Sequence, residues 1–380
     1  MKTINFLTGN FMPENCAGTN RILSLVKELE KTYKVNIFCI TERGKPQKNQ
    51  KIVYSDNIDV YYVDQRYYDG EKFYSRALHE LYYAIKLTLK ARKFQSDITV
   101  ATSPQMFIIP AVAVFGSRKS IIDVRDLVWE YIEETSAYKK ILKNLITQFM
   151  KLSLKKFKYI TVTNSHEYHW VEEFVSKDNI VQITNGIENS TFEQLCRLKH
   201  NEERVFTVTY IGNVGIAQNI KTLIDAARDV QNIRVNIIGE GNRYKQLKEY
   251  VHKNRISNVE FFGRVQRDKM IDFYQESSLL FAQLDETFSA AMPSKLYEYA
   301  STGLPIVYAG SGVARDFVNE LENSTTIKPG DTKALKDAIL KYRDLKCTIS
   351  QKNRDFVRKN FIREKQSTKM VDIVDRLIME

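Results

Sequence analysis

What the chain lacks narrows it first. No stretch of its 380 residues approaches about 18 uninterrupted apolar residues, so nothing reads as a transmembrane helix. The N-terminus, MKTINFLTGN, runs into a strand pattern rather than a signal peptide. The four cysteines, Cys16, Cys39, Cys196 and Cys347, are scattered without CxxC spacing. That excludes a disulfide framework and reads as reduced thiols in a cytoplasmic protein. Zinc-finger spacing, an arginine-rich arm and an aromatic–Gly–aromatic RNA signature are all missing, which sets nucleic acid aside despite a formal charge of +11. An anionic membrane surface or an anionic small substrate remains to account for that charge. His166 and His169 in HEYH have the i, i+3 spacing of paired metal ligands, but no further His, Cys or carboxylate set completes a site. No metal or other cofactor is expected.

What is present is strand–helix alternation, twice over. Ile4 to Thr8, Val35 to Ile40, Asp59 to Val63, Ile98 to Ala101, Ser120 to Val124, Tyr159 to Val162 and Ile180 to Ile183 read as buried strands. Helical stretches such as Thr19 to Lys31 and Tyr74 to Lys93 lie between them. The pattern restarts with strands at Val205 to Ile211, Val235 to Ile238, Val259 to Phe262, Leu279 to Ala282, Pro305 to Tyr308 and Thr325 to Ile327. Alternation of this kind means βαβ units and a parallel sheet covered on both faces. The length also favours two domains. The expectation is two doubly wound α/β domains, residues 1–188 and 204–352, facing across a cleft and joined by the polar stretch Glu188 to Glu203. The charged segment 353–380 has too few apolar positions for a domain and should pack on an existing surface, crossing back to the first domain.

One segment carries most of the chemistry, PSKLYEYASTGLPIV, from Pro293 to Val307. Ser294 is a good helix N-cap, and Gly303 with Pro305 closes the helix before an apolar strand. Unpaired N–H groups, a positive dipole end and Lys295 in the first turn make a ready site for a diphosphate. Glu298, one turn further, could accept hydrogen bonds from the vicinal hydroxyls of a ribose. An ordinary capped helix is the plain alternative. Gly212 and Gly215, directly after a strand, let the backbone approach a ligand, with Gln218 as a polar neighbour; a tight βα turn explains them equally. Asp126 and Asp123, in DVRDLVWE, sit about a strand end, where a carboxylate could bind a sugar hydroxyl or take the acceptor proton. A structural salt bridge is the plain reading for both. Arg125 cannot be a base but could hold a phosphate.

A second stretch, Lys139 to Lys158, carries seven lysines and nine large apolar residues. A basic amphipathic helix of this kind suits a membrane surface, or else packs on the sheet with a solvated lysine face. A further cluster, Arg66 to Lys93, mixes Tyr67, Tyr68, Phe73, Tyr74, Tyr82 and Tyr83 with basic residues.

Four segments fall in one order: YIGNVGIAQNIKTLIDAA, IIGEGNRYKQLKEY, VEFFGRVQRDKMIDFYQESSLLF and PSKLYEYASTGLPIV. Together they resemble the nucleotide-binding half of GT-B glycosyltransferases of family 4, retaining enzymes that use nucleotide-sugar donors. KFYSRALHELYYA, ATSPQ, IIDVRDLVWE and ITNGIE resemble the acceptor half of a branch similar to the N-acetyl-L-fucosaminyl-type transferases of bacterial capsule and O-antigen (lipopolysaccharide) assembly. The resemblance covers nearly the whole chain. It implies a GT-B fold of two Rossmann-like domains and a UDP-sugar donor. The acceptor would be a lipid-linked saccharide, and the protein would sit peripherally on the inner face of the cytoplasmic membrane.

It also implies roles. Gly239, Glu240 and Gly241 would lie beside the nucleobase, Gly18 would let its loop approach the donor diphosphate, and Asn185 with Gly186 would shape the hinge. Departures from the family pattern are specific. Ala290 stands where the first of two paired glutamates belongs, and Asn213 and Asn219 replace the usual Arg and Lys on the diphosphate. Asn213 then counts among the donor contacts, and Lys295 with Arg243 must supply the phosphate charge. A nucleotide-sugar 2-epimerase and a non-catalytic GT-B-like subunit are the rival readings.

Overall fold

The structure is a computed structural model that describes residues 1–11, 17–41, 50–66, 73–132, 134–199, 205–345 and 349–380. Cys16, Cys347, Tyr67, Tyr68 and the side chains of Phe73 and Tyr74 lie outside the described residues. The chain divides into two compact units, Met1–Asn185 with Arg363–Glu380, and Gly186–Ile362.

The first unit runs β1 (Thr3–Thr8), α1 (Ala17–Leu29), β2 (Lys34–Ile40), β3 (Lys51–Ser55), β4 (Ile58–Val63), α2 (Phe73–Arg92) and β5 (Ile98–Thr102). It continues with α3 (Ile108–Phe115), β6 (Ser120–Val124), α4 (Ala137–Leu154), β7 (Tyr159–Val162), α5 (Ser165–Glu172) and β8 (Ile180–Gln182). The sheet order is β3-β4-β2-β1-β5-β6-β7-β8. Every pairing is parallel except that of β3, which lies antiparallel on β4 at the sheet edge. β5 and β6 are buried at every position, as a parallel strand covered on both faces must be. β3 escapes the sequence reading because its residues are exposed or half-exposed, so no buried run marks it.

The second unit runs α6 (Asn189–Cys196), β9 (Phe206–Ile211), α7 (Lys221–Ala227), β10 (Ile233–Ile238), α8 (Tyr244–Lys253), β11 (Val259–Gly263), α9 (Arg267–Glu276) and β12 (Leu279–Gln283). It ends with α10 (Lys295–Thr302), β13 (Ile306–Ala309), α11 (Gly312–Asn319), β14 (Ser324–Ile327), α12 (Thr332–Asp344) and α13 (Gln351–Asn360). Its sheet is parallel throughout, in the order β11-β10-β9-β12-β13-β14. In both sheets the order reverses beside the first strand, at β1/β5 and at β9/β12. Connections leave such a point in opposite directions and open a crevice at the carboxyl ends of the strands.

Two boundaries differ from expectation. The stretch Glu188 to Glu203, read as a linker without structure, contains α6, whose Phe192 and Leu195 are buried in the core around Leu296 and Tyr299. Spacing of i, i+3 was enough to bury one helical face despite the polar composition. The segment 353–380 forms two helices, each in a different unit. α13 stays in the second unit, with Val357 in the same core as α6, whereas α14 (Arg363–Met379) belongs to the first. There Met370, Ile373, Val374 and Leu377 pack with Ile22, Leu25, Val26 and Leu29 of α1. Tyr33 donates to Asp375, and Ser24 and Ser367 share a hydrogen bond of 2.7 Å.

Candidate functional site

The best-formed constellation lies at the carboxyl ends of β9 and β10 in the second unit. Gly212 follows β9 at φ 147°, a conformation that excludes side chains, and a Cβ there would run into Lys295 Nζ. Lys295, the first residue of α10, therefore reaches across to lie over the strand end. Its Nζ donates to Tyr210 Oη at 3.0 Å and stands 4.2 Å from the centre of the Tyr210 ring. Tyr210 Oη in turn donates to the Asn213 carbonyl at 2.6 Å. All these partners are neutral. Burial pushes the Lys295 ammonium down to about 7, with the Glu298 charge opposing.

Glu298, one turn along α10, accepts a hydrogen bond from Tyr274 Oη at 2.8 Å on Oε2. The described residues offer no donor to Oε1. Tyr274 is fully buried, and burial first, then the Glu298 charge, raises its hydroxyl well above the ordinary tyrosine range. It is thus a donor that stays protonated and fixes the carboxylate. Tyr299 completes the frame by accepting from the Ile211 amide at 2.9 Å, which pins the end of β9 to α10. Tyr210, Tyr274 and Tyr299 were not singled out from sequence. The available signal was a tyrosine at core positions where phenylalanine would pack as well, since a buried hydroxyl usually has a partner.

Ser294 is corrected. Its backbone is already helical, at φ −58° and ψ −28°, and its exposed side chain caps nothing. The turn begins one residue earlier, with the Leu296 amide donating to the Pro293 carbonyl at 3.0 Å, so the extended backbone that an N-cap needs is unavailable. Gly239 and Gly241 are needed for close backbone approach. A Cβ on Gly239, at φ 127°, would strike the Gly212 carbonyl, and one on Gly241 the Val214 carbonyl. The loops after β9 and β10 are in backbone contact, joined by Val214 N to Glu240 O at 2.9 Å. Glu240 is exposed on that loop. Gly215 leaves room for the pair formed by Asn213 Nδ2 and Gln218 Oε1 at 3.0 Å. Arg243, exposed ahead of α8, donates to Gln246 at 2.5 Å.

In the first unit the structure separates the two aspartates. Asp123 is fully buried on β6, with its carboxylate taken by Arg21 (2.6 and 3.0 Å), Thr102 (2.9 Å) and Thr161 (2.7 Å). Burial works to raise its pKa, but Arg21 and the hydroxyls outweigh it and hold the carboxyl below the usual range. Asp123 is a structural carboxylate of the sheet, not an acceptor ligand. Asp126, past the strand end, is half-buried and receives no hydrogen bond from any described residue. Burial raises its pKa and Arg125 opposes. A Cβ on Gly18 would come 3.0 Å from an Arg125 guanidinium nitrogen, so the glycine makes room for that side chain within this unit. Asn185 ends the first segment of this unit, accepting from Arg21 on its side chain (3.2 Å) and from Arg363 on its carbonyl (3.0 Å), and Gly186 follows at φ 55°.

Glu167 was not foreseen. It closes a capping box with Asn164, and its carboxylate also takes Thr163 Oγ1 at 2.7 Å. That hydroxyl also lies 3.4 Å from the Arg125 carbonyl, in the loop that carries Asp126. Burial foremost, with Asp126 adding, pushes Glu167 up to about 8. His166 and His169 diverge, His166 to Glu130 at 3.1 Å and His169 to Glu172 at 2.7 Å.

Residues 194–361 match the family described as glycosyl transferases group 1. An uncharacterized glycosyltransferase of Methanocaldococcus jannaschii is 24% identical over 213 residues, 53% of this chain and 57% of that protein, so the match spans little more than half of the relative's length. Sucrose-phosphate synthase from Thermosynechococcus elongatus superimposes with a TM-score of 0.76 at 15% identity over 100% of both chains. HepE of Anabaena, in complex with UDP and glucose, gives 0.68 at 13% identity over 98% of this chain and 99% of its own. The lipopolysaccharide outer core galactosyltransferase WaaB, in its apo form, gives 0.64 at 13% over 97% and 99%. The chain has the GT-B fold of these glycosyltransferases, and its residues 194–361 match the glycosyl transferases group 1 family.

Proposed function

We propose that the protein is a retaining, metal-independent glycosyltransferase of family 4 on the N-acetyl-L-fucosaminyl-type branch. It moves an N-acetylated hexose or deoxyhexose from a UDP-sugar to a lipid-linked saccharide of capsule or O-antigen assembly, working peripherally at the inner face of the cytoplasmic membrane. One observation carries the reading: Lys295 Nζ lies over the Gly212 strand end with Glu298 one turn further along the same helix. Glu298 Oε1 is open to a ribose hydroxyl. Lys295 and the N-terminus of α10 meet a diphosphate whose charge grows as the glycosidic bond breaks, the moment at which stabilisation raises the rate. Asp126 stands ready for the acceptor hydroxyl. That hydroxyl attacks from the face the diphosphate leaves, so the anomeric configuration is kept.

Calorimetric titration with UDP, GDP and their sugars tests the donor. Glu298→Ala should weaken UDP binding by about 2–3 kcal/mol, since a charge-assisted contact to the ribose is lost. Glu298→Gln keeps a partner for Tyr274 Oη and controls for folding. Wild-type UDP affinity in the Ala variant would mean that the ribose lies elsewhere.

Membrane association rests on α4. Of its residues only Met150, Ser153 and Leu154 are buried. Tyr138, Ile141, Leu145, Phe149 and Leu152 form a stripe on it that is 49% to 63% exposed. Lys139, Lys140, Lys155 and Lys156 have no acidic partner among the described residues, whereas Lys143 pairs with Glu134 and Lys151 with Glu173. Each free lysine near an anionic bilayer is worth up to about 1 kcal/mol, and salt screens it. The protein should pellet with anionic vesicles at low salt and leave them at about 0.5 M. Lys140, Lys155 and Lys156 changed together to Glu should abolish pelleting and leave UDP binding intact. Lys151, stacked 5.3 Å from the Trp170 ring, is the wrong residue to change.

The 2-epimerase reading has one observation in its favour, the grouping of His166, Glu130, Asp126 and Glu167 in the first unit. Interconversion of UDP-sugar epimers without any acceptor would establish it. The uncharged Asn213, Asn219 and Ala290 leave room for a subunit without turnover, which would bind UDP-sugar and neither transfer nor hydrolyse it.

A further inference from the structure

Two residues beyond Asp126 the chain becomes the wall of a groove of about 670 Å³. Ala77 of α2, Pro104, Met106 and Phe107 after β5, Val128, and Leu142 of α4 line it. Tyr131, Ser136 and Tyr138 also line it, but a saccharide, which needs a hydrogen-bonding partner at nearly every hydroxyl, would find none along the apolar part of the wall. That part suits an aliphatic chain. The charged lining groups are Arg76 and Glu80, held together at 2.9 Å, and Lys139. Lys139 has no acidic partner among the described residues. It sits in the first turn of α4, whose N-cap Ser136 accepts from the Lys139 amide. An ammonium and the positive end of an 18-residue helix thus border a largely apolar groove, which is the charge arrangement for a phosphate at the head of a hydrocarbon.

The groove is also continuous with an apolar surface. Tyr138 lines it and begins the exposed stripe that runs through Ile141, Leu145, Phe149 and Leu152. A chain partly drawn out of a bilayer would meet apolar side chains along that whole path.

We propose that this groove binds the head-proximal part of a long aliphatic chain on the acceptor's lipid carrier, with the carrier phosphate beside Lys139, so that the saccharide it bears reaches Asp126. The inference deepens the glycosyl-transfer reading and rests on the acceptor being lipid-linked.

The test is calorimetric titration of the full chain with farnesyl phosphate below its micelle concentration, and with inorganic phosphate and farnesol for comparison. One saturable site for farnesyl phosphate is expected, with no binding of inorganic phosphate alone. Ala77→Trp fills the groove and should weaken that binding at least tenfold. Leu142→Glu places a charge in its wall and should do the same. Lys139→Gln should bring farnesyl phosphate down to the affinity of farnesol. UDP binding, in the other unit, should be unchanged in all three variants, and a urea transition of the first unit matching the wild type's reports that they are folded. Absence of saturable farnesyl phosphate binding in the wild type, or wild-type affinity in both Ala77→Trp and Leu142→Glu, overturns the proposal. Wild-type protein that binds farnesyl phosphate but no UDP-sugar would instead overturn glycosyl transfer and leave the groove assignment standing.

Discussion

Lys295→Met is expected to lower kcat about 10²–10³-fold, the size seen when one preorganised donor to developing charge is removed, while affinity for the UDP-sugar, whose diphosphate has not yet gained the leaving-group charge, falls much less. The asymmetry follows from where the ammonium sits. Its partners at rest are the Tyr210 hydroxyl and ring, both neutral, so little ground-state interaction is lost with it. Single-turnover rates beside UDP-sugar titrations separate the two effects, and equal losses would mark Lys295 as a ground-state phosphate ligand.

The same residue predicts a pH dependence. In the free protein burial holds Lys295 near about 7, far below an ordinary lysine, so above that pH it is mostly neutral. A diphosphate favours the charged form and raises the pKa of the complex. Binding should therefore take up a proton at pH 8, and UDP affinity should decline as pH rises above about 7, by up to tenfold per unit. Titrations in buffers of different ionisation enthalpy read the proton directly. Lys295→Met should remove both the uptake and the slope. The sign for folding is opposite: a native state that binds fewer protons than the unfolded chain between about 7 and 10.4 gains stability as pH rises through that window.

Asp123→Ala is expected to destabilise the first unit by about 3–5 kcal/mol, because it leaves the Arg21 guanidinium buried without its counter-charge. Arg21 is 3% exposed and Asp123 fully buried, so solvent cannot take over. Arg21 also donates to the Ile183 carbonyl at 2.8 Å, which ties the loss to the end of that unit's chain. Replacing both partners with apolar residues, Arg21→Met with Asp123→Leu, should recover much of the stability, since no orphaned charge remains. Urea unfolding of the three proteins decides the matter, and a loss under about 1 kcal/mol for Asp123→Ala would mean the pair is screened. Because the Asp123 carboxyl is held below its unfolded value, its contribution is full above about pH 4 and disappears as pH falls through the folded pKa. The Asp123→Ala variant should accordingly lose part of the wild type's acid sensitivity.

Sequence by itself determined the alternation of strands and helices, because strands buried on both faces are almost wholly apolar and stand out as runs, as β6 does at Ser120–Val124. It also marked Lys295 and Glu298, since one helical turn separates them and local spacing fixes their common face. It missed β3, which is exposed on an edge, and it read α6 as linker because only one face of that helix is apolar. Only tertiary structure decided what holds those two side chains and which aspartate has no hydrogen-bond donor among the described residues. Tyr210 lies 85 residues from Lys295, Tyr274 lies 24 from Glu298, and Arg21 lies 102 from Asp123. No periodicity links such positions. Asp123 and Asp126 are three residues apart in one segment, yet burial under Arg21 makes the first structural, and a place past the strand end leaves the second open. Side-chain chemistry is written in the sequence, but its protonation, its partners and its availability are set by what the fold brings against it.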